Sequence, residues 1–154
     1  AADIVAITVP FSHQVSTLEH VRSALGGKIL IDVTVPLVPP KVARVQLPPE
    51  GSAGQSAQNL LGDDVAGVSA FQTVAAHHLQ AAGEVSCDVL VTGNKRAARE
   101  AVIELVEAAG MRGFHAGMIN NAAAAEALTS VLISINKQYG CHAGIRITGP
   151  DEAG

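Results

Sequence analysis

Apolar positions along this chain fall into two kinds of run. The first kind is short and almost continuous: Asp3 to Val9 (Asp-Ile-Val-Ala-Ile-Thr-Val), Lys28 to Val33 (Lys-Ile-Leu-Ile-Asp-Val), Val65 to Phe71, Asp88 to Thr92 and Met111 to His115. Runs of this length, rich in β-branched residues, predict strands, and near-continuous apolarity is what a strand covered by helices on both faces requires. The second kind recurs at helical spacing. Val15, Leu18 and Val21 share one face of a helix that Ser12 caps and Gly26-Gly27 ends. Ser52 and Gln55 form a capping box ahead of a helix that buries Ala57, Leu60 and Leu61 and stops at Gly62. Gln72 to Gln80 reads as a loop running into a short helix. Asn94 caps a helix through Ala109 that turns Val102, Leu105, Val106 and Ala109 inward and closes at Gly110. This alternation predicts an α/β fold: a Rossmann-like, doubly wound, mainly parallel sheet with right-handed crossovers.

Two stretches break the rhythm. Residues 34–51 hold five of the seven prolines, Pro36, Pro39, Pro40, Pro48 and Pro49, and predict a long rigid loop of the kind that usually carries function. The last helix, Asn120 to Tyr139, has Glu126 as its only charged residue between Asn121 and Asn136. A helix so apolar is buried on more than one side. It is either a central core helix or one shared between two subunits; the small size of the chain favours the second, a homodimer through helix 120–139. Gly144 to Thr148 reads as a closing strand, so that residues 116–154 form a C-terminal helix and strand extension.

The 154 residues fit a single domain. With 48% hydrophobic and 16% charged residues the chain is a packed globule and not a disordered one. It has three Phe, one Tyr and no Trp, so the core is aliphatic. The net charge of −4 and the scattered Lys and Arg argue against a nucleic-acid partner, which needs clustered cations. No apolar run is long enough to span a bilayer, and no basic stretch precedes the first apolar run. Cys87 and Cys141 stand apart and form no metal or redox motif, which suggests a reducing cytoplasm.

Neither Gly-x-Gly-x-x-Gly nor a Walker loop is present. In a doubly wound fold that fingerprint lies at the first strand–helix turn. The chain opens abruptly inside a strand, and both features place the phosphate-binding unit upstream of Ala1, making residues 1–154 the C-terminal part of a nucleotide-binding domain. Ligands of such sheets bind outside the carboxyl ends of the strands. The loops expected there are Val9 to His13, the one beginning Thr34-Val35-Pro36, Phe71 to His78, and Ala116 to Ile119. They are mostly small or apolar, which suits flat rings lying on backbone better than acid–base chemistry. His77-His78 invites a metal or acid reading, but adjacent histidines on a helix diverge and no carboxylate or thiol completes a site. Asn136-Lys137 reads as a catalytic pair or as the polar end of a core helix, the second being preferred. Lys95, Arg96 and Arg99 read as a solvated face.

The chain resembles the NADPH-dependent reductases of the deazaflavin coenzyme F-420. The resemblance rests on Ile7-Thr8-Val9-Pro10, Asp32-Val33-Thr34-Val35-Pro36-Leu37, Pro48-Pro49-Glu50-Gly51-Ser52-Ala53, Ala70-Phe71-Gln72-Thr73-Val74, Cys87-Asp88-Val89-Leu90-Val91, Glu126-Ala127-Leu128-Thr129 and Gly144 to Gly149. These segments run in order along nearly the whole chain. Two departures stand out: Ala123 where the family tends to place Arg, and the basic Gly93-Asn94-Lys95-Arg96 where relatives are often acidic. The resemblance implies a Rossmann-type domain with a small C-terminal extension, homo-oligomers, and hydride transfer between the nicotinamide C4 of NADP(H) and the deazaflavin C5. It implies that Thr8, Val9, Pro10 and Phe11 with Val33, Thr34, Val35 and Pro36 approach the nicotinamide. Gln72, Thr73, Val74, Ala75 and Ala76 would form the floor where the two rings meet, and Ile119 would also line the cofactor site. Two alternatives stay open. One is another NADP-dependent reductase, of an imine or a hydroxy acid, with Lys137 or His77 as proton donor. The other is a dimerising or cofactor-binding fragment that is not an enzyme.

Overall fold

The structure, a computed structural model, describes residues 2–80 and 85–149. Among them lie five strands, β1 (Ile4–Ile7), β2 (Ile29–Asp32), β3 (Ala66–Ser69), β4 (Asp88–Gly93) and β5 (Arg112–His115). They form one sheet in the order β1-β2-β3-β4-β5. Five α-helices surround it: α1 (Gln14–Val21), α2 (Ala53–Leu61), α3 (Ala76–Gln80), α4 (Arg96–Ala108) and α5 (Ala122–Tyr139).

The period of two along each strand separates two cores. In β2, Leu30 faces α1 and α2 and packs with Ile7, Leu18, Leu25, Ala57, Leu61 and Val65. Its neighbour Ile31 faces the other way and joins Val68, Val89, Val91, Ala98, Val102 and Val106 around α4. Helices therefore cover both faces, as the continuous apolar strands predict.

The sheet is mixed. β1 to β3 are parallel, with Ile4 opposite Ile29 and Leu30 opposite Gly67. β4 then runs antiparallel to β3, and β5 runs parallel to β4. The mainly parallel expectation holds for three of the four pairings; the reversal comes at the 70–87 connection. A right-handed crossover between reversed strands puts its helix on the opposite face, and this is why α4 lies across the sheet from α1 and α2.

Local details depart from the pattern. Ser12 is not a helix cap; it sits inside a 3-10 turn, Phe11–His13, and no side chain caps α1. The turn rotates the helix so that Val15 is exposed and Gln14 is buried in its place. In α4 the buried line is Ala98, Val102 and Val106, while Leu105 is 45% exposed and Ala109 faces solvent. Asn94 does not cap α4 but accepts from the Ile119 N–H at 3.2 Å. Residues 144–148 form no strand, although Asp88 N–H donates to the Ile145 carbonyl at 2.9 Å, because side chains take up the next backbone groups. Ile147 N–H donates to Asp88 Oδ2 at 2.5 Å, and Arg112 Nη2 donates to Ile147 O at 3.0 Å. The buried Asp88 carboxylate is itself forked by Arg112, at 2.9 and 2.7 Å, which holds it below the usual carboxylate range.

Candidate functional site

Because β1, β2 and β3 are parallel, their carboxyl ends deliver three chain segments to one edge of the sheet. These are Thr8–Phe11, Val33–Pro36 and Phe71–Ala76. Main-chain bonds link them: Val33 N–H donates to Ile7 O at 3.4 Å, and Ala70 N–H donates to Asp32 O at 3.2 Å. Gln72 is buried and its Nε2 donates to Asp32 O at 2.9 Å and to Ser69 Oγ at 2.7 Å. Of the expected residues, Thr8, Pro10 and Ala76 are exposed; Val9, Phe11, Val33, Val35, Val74 and Ala75 are half-buried; Thr34, Pro36, Gln72 and Thr73 are buried.

Ile119 lies beneath them rather than in them: a Cβ on Gly54 would meet both its Cδ1 and the Cβ of Ser69, the last residue of β3. Ile119 is 2% exposed and lies against α2, where a Cβ on Gly54 would come within 3.2 Å of its Cδ1. It is a core residue, and the absence of a side chain on Gly54 lets α2 approach it closely.

One cavity touches the gathered loops at Phe11 alone, and a second lies against residues 72–75. A cleft of about 640 Å³ opens between Phe11, Gln14 and Val15 on one side and Pro48, Pro49 and Glu50 on the other. That volume suits a ring system. A smaller cavity of about 100 Å³ lies behind the 72–75 loop, between it and Thr129, Leu132 and Ile133 of α5.

A buried polar cluster underlies the segments. Gln14 donates through Nε2 to Asp32 Oδ2 at 2.5 Å, to Thr34 Oγ1 at 3.1 Å and to Ala53 O at 2.9 Å. Asp32 also accepts from Thr34 N–H at 2.8 Å, and burial pushes its carboxyl up despite these bonds. Glu126, from α5, accepts from the Ala53 and Gly54 N–H groups at 2.7 and 2.9 Å. Burial, opposed by those two bonds and aided by the nearby Asp32 charge, pushes it up to about 7. The amino end of α2 is thus satisfied by an internal carboxylate, and a cofactor phosphate has no vacant place there.

Sequence reasoning missed the organising role of α5. Glu126, Thr129 and Ser130 stand at i, i+3 and i+4, hence on one face. Each grips a different loop: Glu126 the start of α2, Thr129 the Gln72 carbonyl at 2.8 Å, and Ser130 the Arg44 carbonyl of the Pro-rich loop at 3.3 Å. The signal was the spacing of three polar residues in an otherwise apolar helix.

The other expected chemistry stays outside this cluster. Asn136 Oδ1 accepts from Ala143 N–H at 2.6 Å and secures the tail, and Lys137 is exposed. The side chain of His77 lies outside the described ones, and the His78 ring stands edge-on to His142 at 5.9 Å. Arg96 pairs with Glu100 at the surface, and Arg99 Nη1 donates to the Gly93 carbonyl. Among the described residues no group of His, Cys, Asp and Glu could hold a metal ion, and no helix is long and apolar enough to cross a membrane.

No family model matches the chain. It is 36% identical over 152 residues to the F420-dependent NADP reductase of Methanocaldococcus jannaschii, covering 95% of this chain and 68% of that protein. It is 37% identical over 159 residues to the F420-dependent NADP reductase of Methanothermobacter marburgensis, covering 98% of this chain and 70% of the relative. Among solved structures, an Arthrobacter sp. FB24 protein provisionally named an F420-dependent NADP reductase superposes with a TM-score of 0.80 at 25% identity, covering 95% of this chain and 70% of its own. A hypothetical protein of Sinorhizobium meliloti shares the fold, with a TM-score of 0.67 at 24% identity over 79% of this chain and 60% of that one.

Proposed function

Because the chain belongs to the F420-dependent NADP reductase family, we propose that it is an oxidoreductase transferring a hydride between NADP(H) and coenzyme F-420. The observation that carries this reading is the meeting of three mostly apolar segments at the carboxyl ends of the parallel strands β1, β2 and β3. The two cofactors supply the hydride chemistry, and the chain supplies position. Holding two rings face to face can lower the barrier by roughly 7–11 kcal/mol. Thr8 to Phe11 and Val33 to Pro36 approach the nicotinamide, and Gln72 to Ala76 form the floor. The half-buried Ala75 has a side chain small enough for a ring to lie close to its backbone.

Residues 1–154 act as one domain, the C-terminal part of the NADP-binding unit. The assembly is a homodimer through α5. Ala124 and Val131 on the outer face of that helix are exposed, and Leu128 and Ile135 beside them are half-buried. Both cysteines are free thiols, in keeping with a reducing compartment such as the cytoplasm.

The test is to mix the full-length protein with NADPH and coenzyme F-420 and follow the deazaflavin absorbance. Bleaching that needs both NADPH and protein is expected. Ala75→Trp, which puts an indole where the ring lies, should slow it roughly 100-fold with the circular dichroism unchanged. Absence of bleaching with wild-type protein overturns the reading and moves an imine or hydroxy-acid reductase to the front.

A further inference from the structure

We propose that Gln14 is a positioning residue for hydride transfer, its amide setting, through the Asp32 carboxylate, the main chain of the 33–36 segment that approaches the nicotinamide; this rests on the function proposed above. Gln14 opens α1 and is 0% exposed, while Val15 beside it is 50% exposed. A helix that needed only packing would bury the valine. An amide taken from water in its place must find partners. The Gln14 Nε2 finds them on two other segments: Asp32 Oδ2 at 2.5 Å and Thr34 Oγ1 at 3.1 Å where the chain leaves β2, and Ala53 O at 2.9 Å where α2 begins.

The other oxygen of Asp32 accepts from Thr34 N–H at 2.8 Å. A carboxylate that bonds the main chain two residues on builds a turn, and here it decides how the chain leaves the strand. The sheet itself holds this segment less closely, with Val33 N–H reaching Ile7 O at 3.4 Å. The main-chain oxygen of Asp32 accepts from Ala70 N–H at 3.2 Å and from Gln72 Nε2 at 2.9 Å, so the residue that Gln14 steadies is also joined to the 71–76 loop. Without the Gln14 donor the Asp32 carboxylate stays buried, at 2% exposure, and loses a partner. A buried carboxylate short of donors turns toward others or takes up a proton. Either way the turn at Thr34 is no longer held in one geometry. The cleft of about 640 Å³ that Gln14 and Phe11 line gives α1 room to move off β2. The 33–36 segment then shifts against the nicotinamide, and the distance over which the hydride passes opens.

The experiment uses the full-length protein in three forms. Gln14→Met keeps length and packing and removes both donor hydrogens. Asp32→Asn keeps an acceptor for Thr34 N–H but sets its own amide hydrogens against those of Gln14. The double variant removes that opposition, and the new amide at position 32 donates to Thr34 Oγ1. The readings are amide hydrogen exchange at Thr34, the single-turnover rate of coenzyme F-420 bleaching beside the KM for NADPH, and the isotope effect with NADPH deuterated at the transferred position. Each single variant is expected to speed exchange at Thr34 and slow hydride transfer about 10-fold, with a larger isotope effect and KM changing less than about 2-fold. The double variant is expected to recover to within about 3-fold of wild type, a reversal that only a direct donor–acceptor contact gives. Unchanged exchange or an unchanged rate in Gln14→Met overturns the proposal, as does a double variant no faster than Gln14→Met alone. A rate loss with the wild-type isotope effect overturns it too, because that is what a smaller folded fraction gives. Should Gln14→Met not fold, the same readings on Asp32→Asn decide. If wild-type protein fails to bleach coenzyme F-420, the function falls separately, and exchange at Thr34 still decides whether Gln14 sets the segment.

Discussion

Glu126 is a carboxylate 1% exposed, wedged between two helices and facing a second buried carboxylate, Asp32, across the Gln14 amide. Its carboxyl titrates near 7 because burial outweighs the two N–H groups that it accepts. The folded protein therefore holds this proton more tightly than the unfolded chain does. Between about pH 4.5 and 7 the native state binds more protons, so stability falls as pH rises through that window and is flat above it. The full effect is on the order of 3 kcal/mol. Glu126→Gln should flatten the curve, leaving only the part due to Asp32, which is shifted the same way. Urea unfolding at pH 5 and pH 8 checks this; equal wild-type stabilities would mean that the α2 N–H groups fully offset the burial.

At the scale of elements, α2 shows which half of a sequence motif survives folding. Ser52 is the N-cap, its Oγ accepting from Gln55 N–H at 2.9 Å. The reciprocal half of the expected box does not form, because Gln55 Nε2 bonds Asn59 at 2.8 Å and Glu126 takes the first N–H groups of the helix. Ser52→Ala should cost about 1 kcal/mol, whereas Gln55→Ala should cost little, since Gln55 Oε1 has no partner among the described residues. Thermal melts of the two variants distinguish them. α5 carries the same lesson. Its apolar run made a helix legible, but the grip of Glu126, Thr129 and Ser130 on three loops depends on where α2, the 71–75 loop and Arg44 come to rest.

Across the whole molecule, α5 is packed by its inner face and left uncovered along Ala124, Leu128, Val131 and Ile135. A homodimer formed there would be broken by Val131→Asp, which places a charge on a residue 45% exposed in the single chain. Sedimentation should then show a monomer of normal circular dichroism, while an unchanged mass would put any interface elsewhere. Because Val131 faces away from Gln72, loss of the dimer should leave the 71–75 loop in place.

The sequence by itself determined the strands, the order of elements, the Pro-rich loop and the apolar last helix, because burial on both faces of a sheet and on a helix stripe writes a local period into the chain. It also carried the family resemblance, and with it the three segments that meet at one edge. Only the tertiary structure decided the reversal at β4, which puts α4 on the opposite face of the sheet. The same holds for Gln14, drawn inside by Asp32 at the expense of Val15, and for the 144–148 segment, which has one main-chain bond to β4 and whose Ile147 groups go to the Asp88 and Arg112 side chains. In each case the deciding contact joins residues far apart in sequence. Local periodicity records which face of an element is apolar, and it does not record which distant group will satisfy a buried polar one.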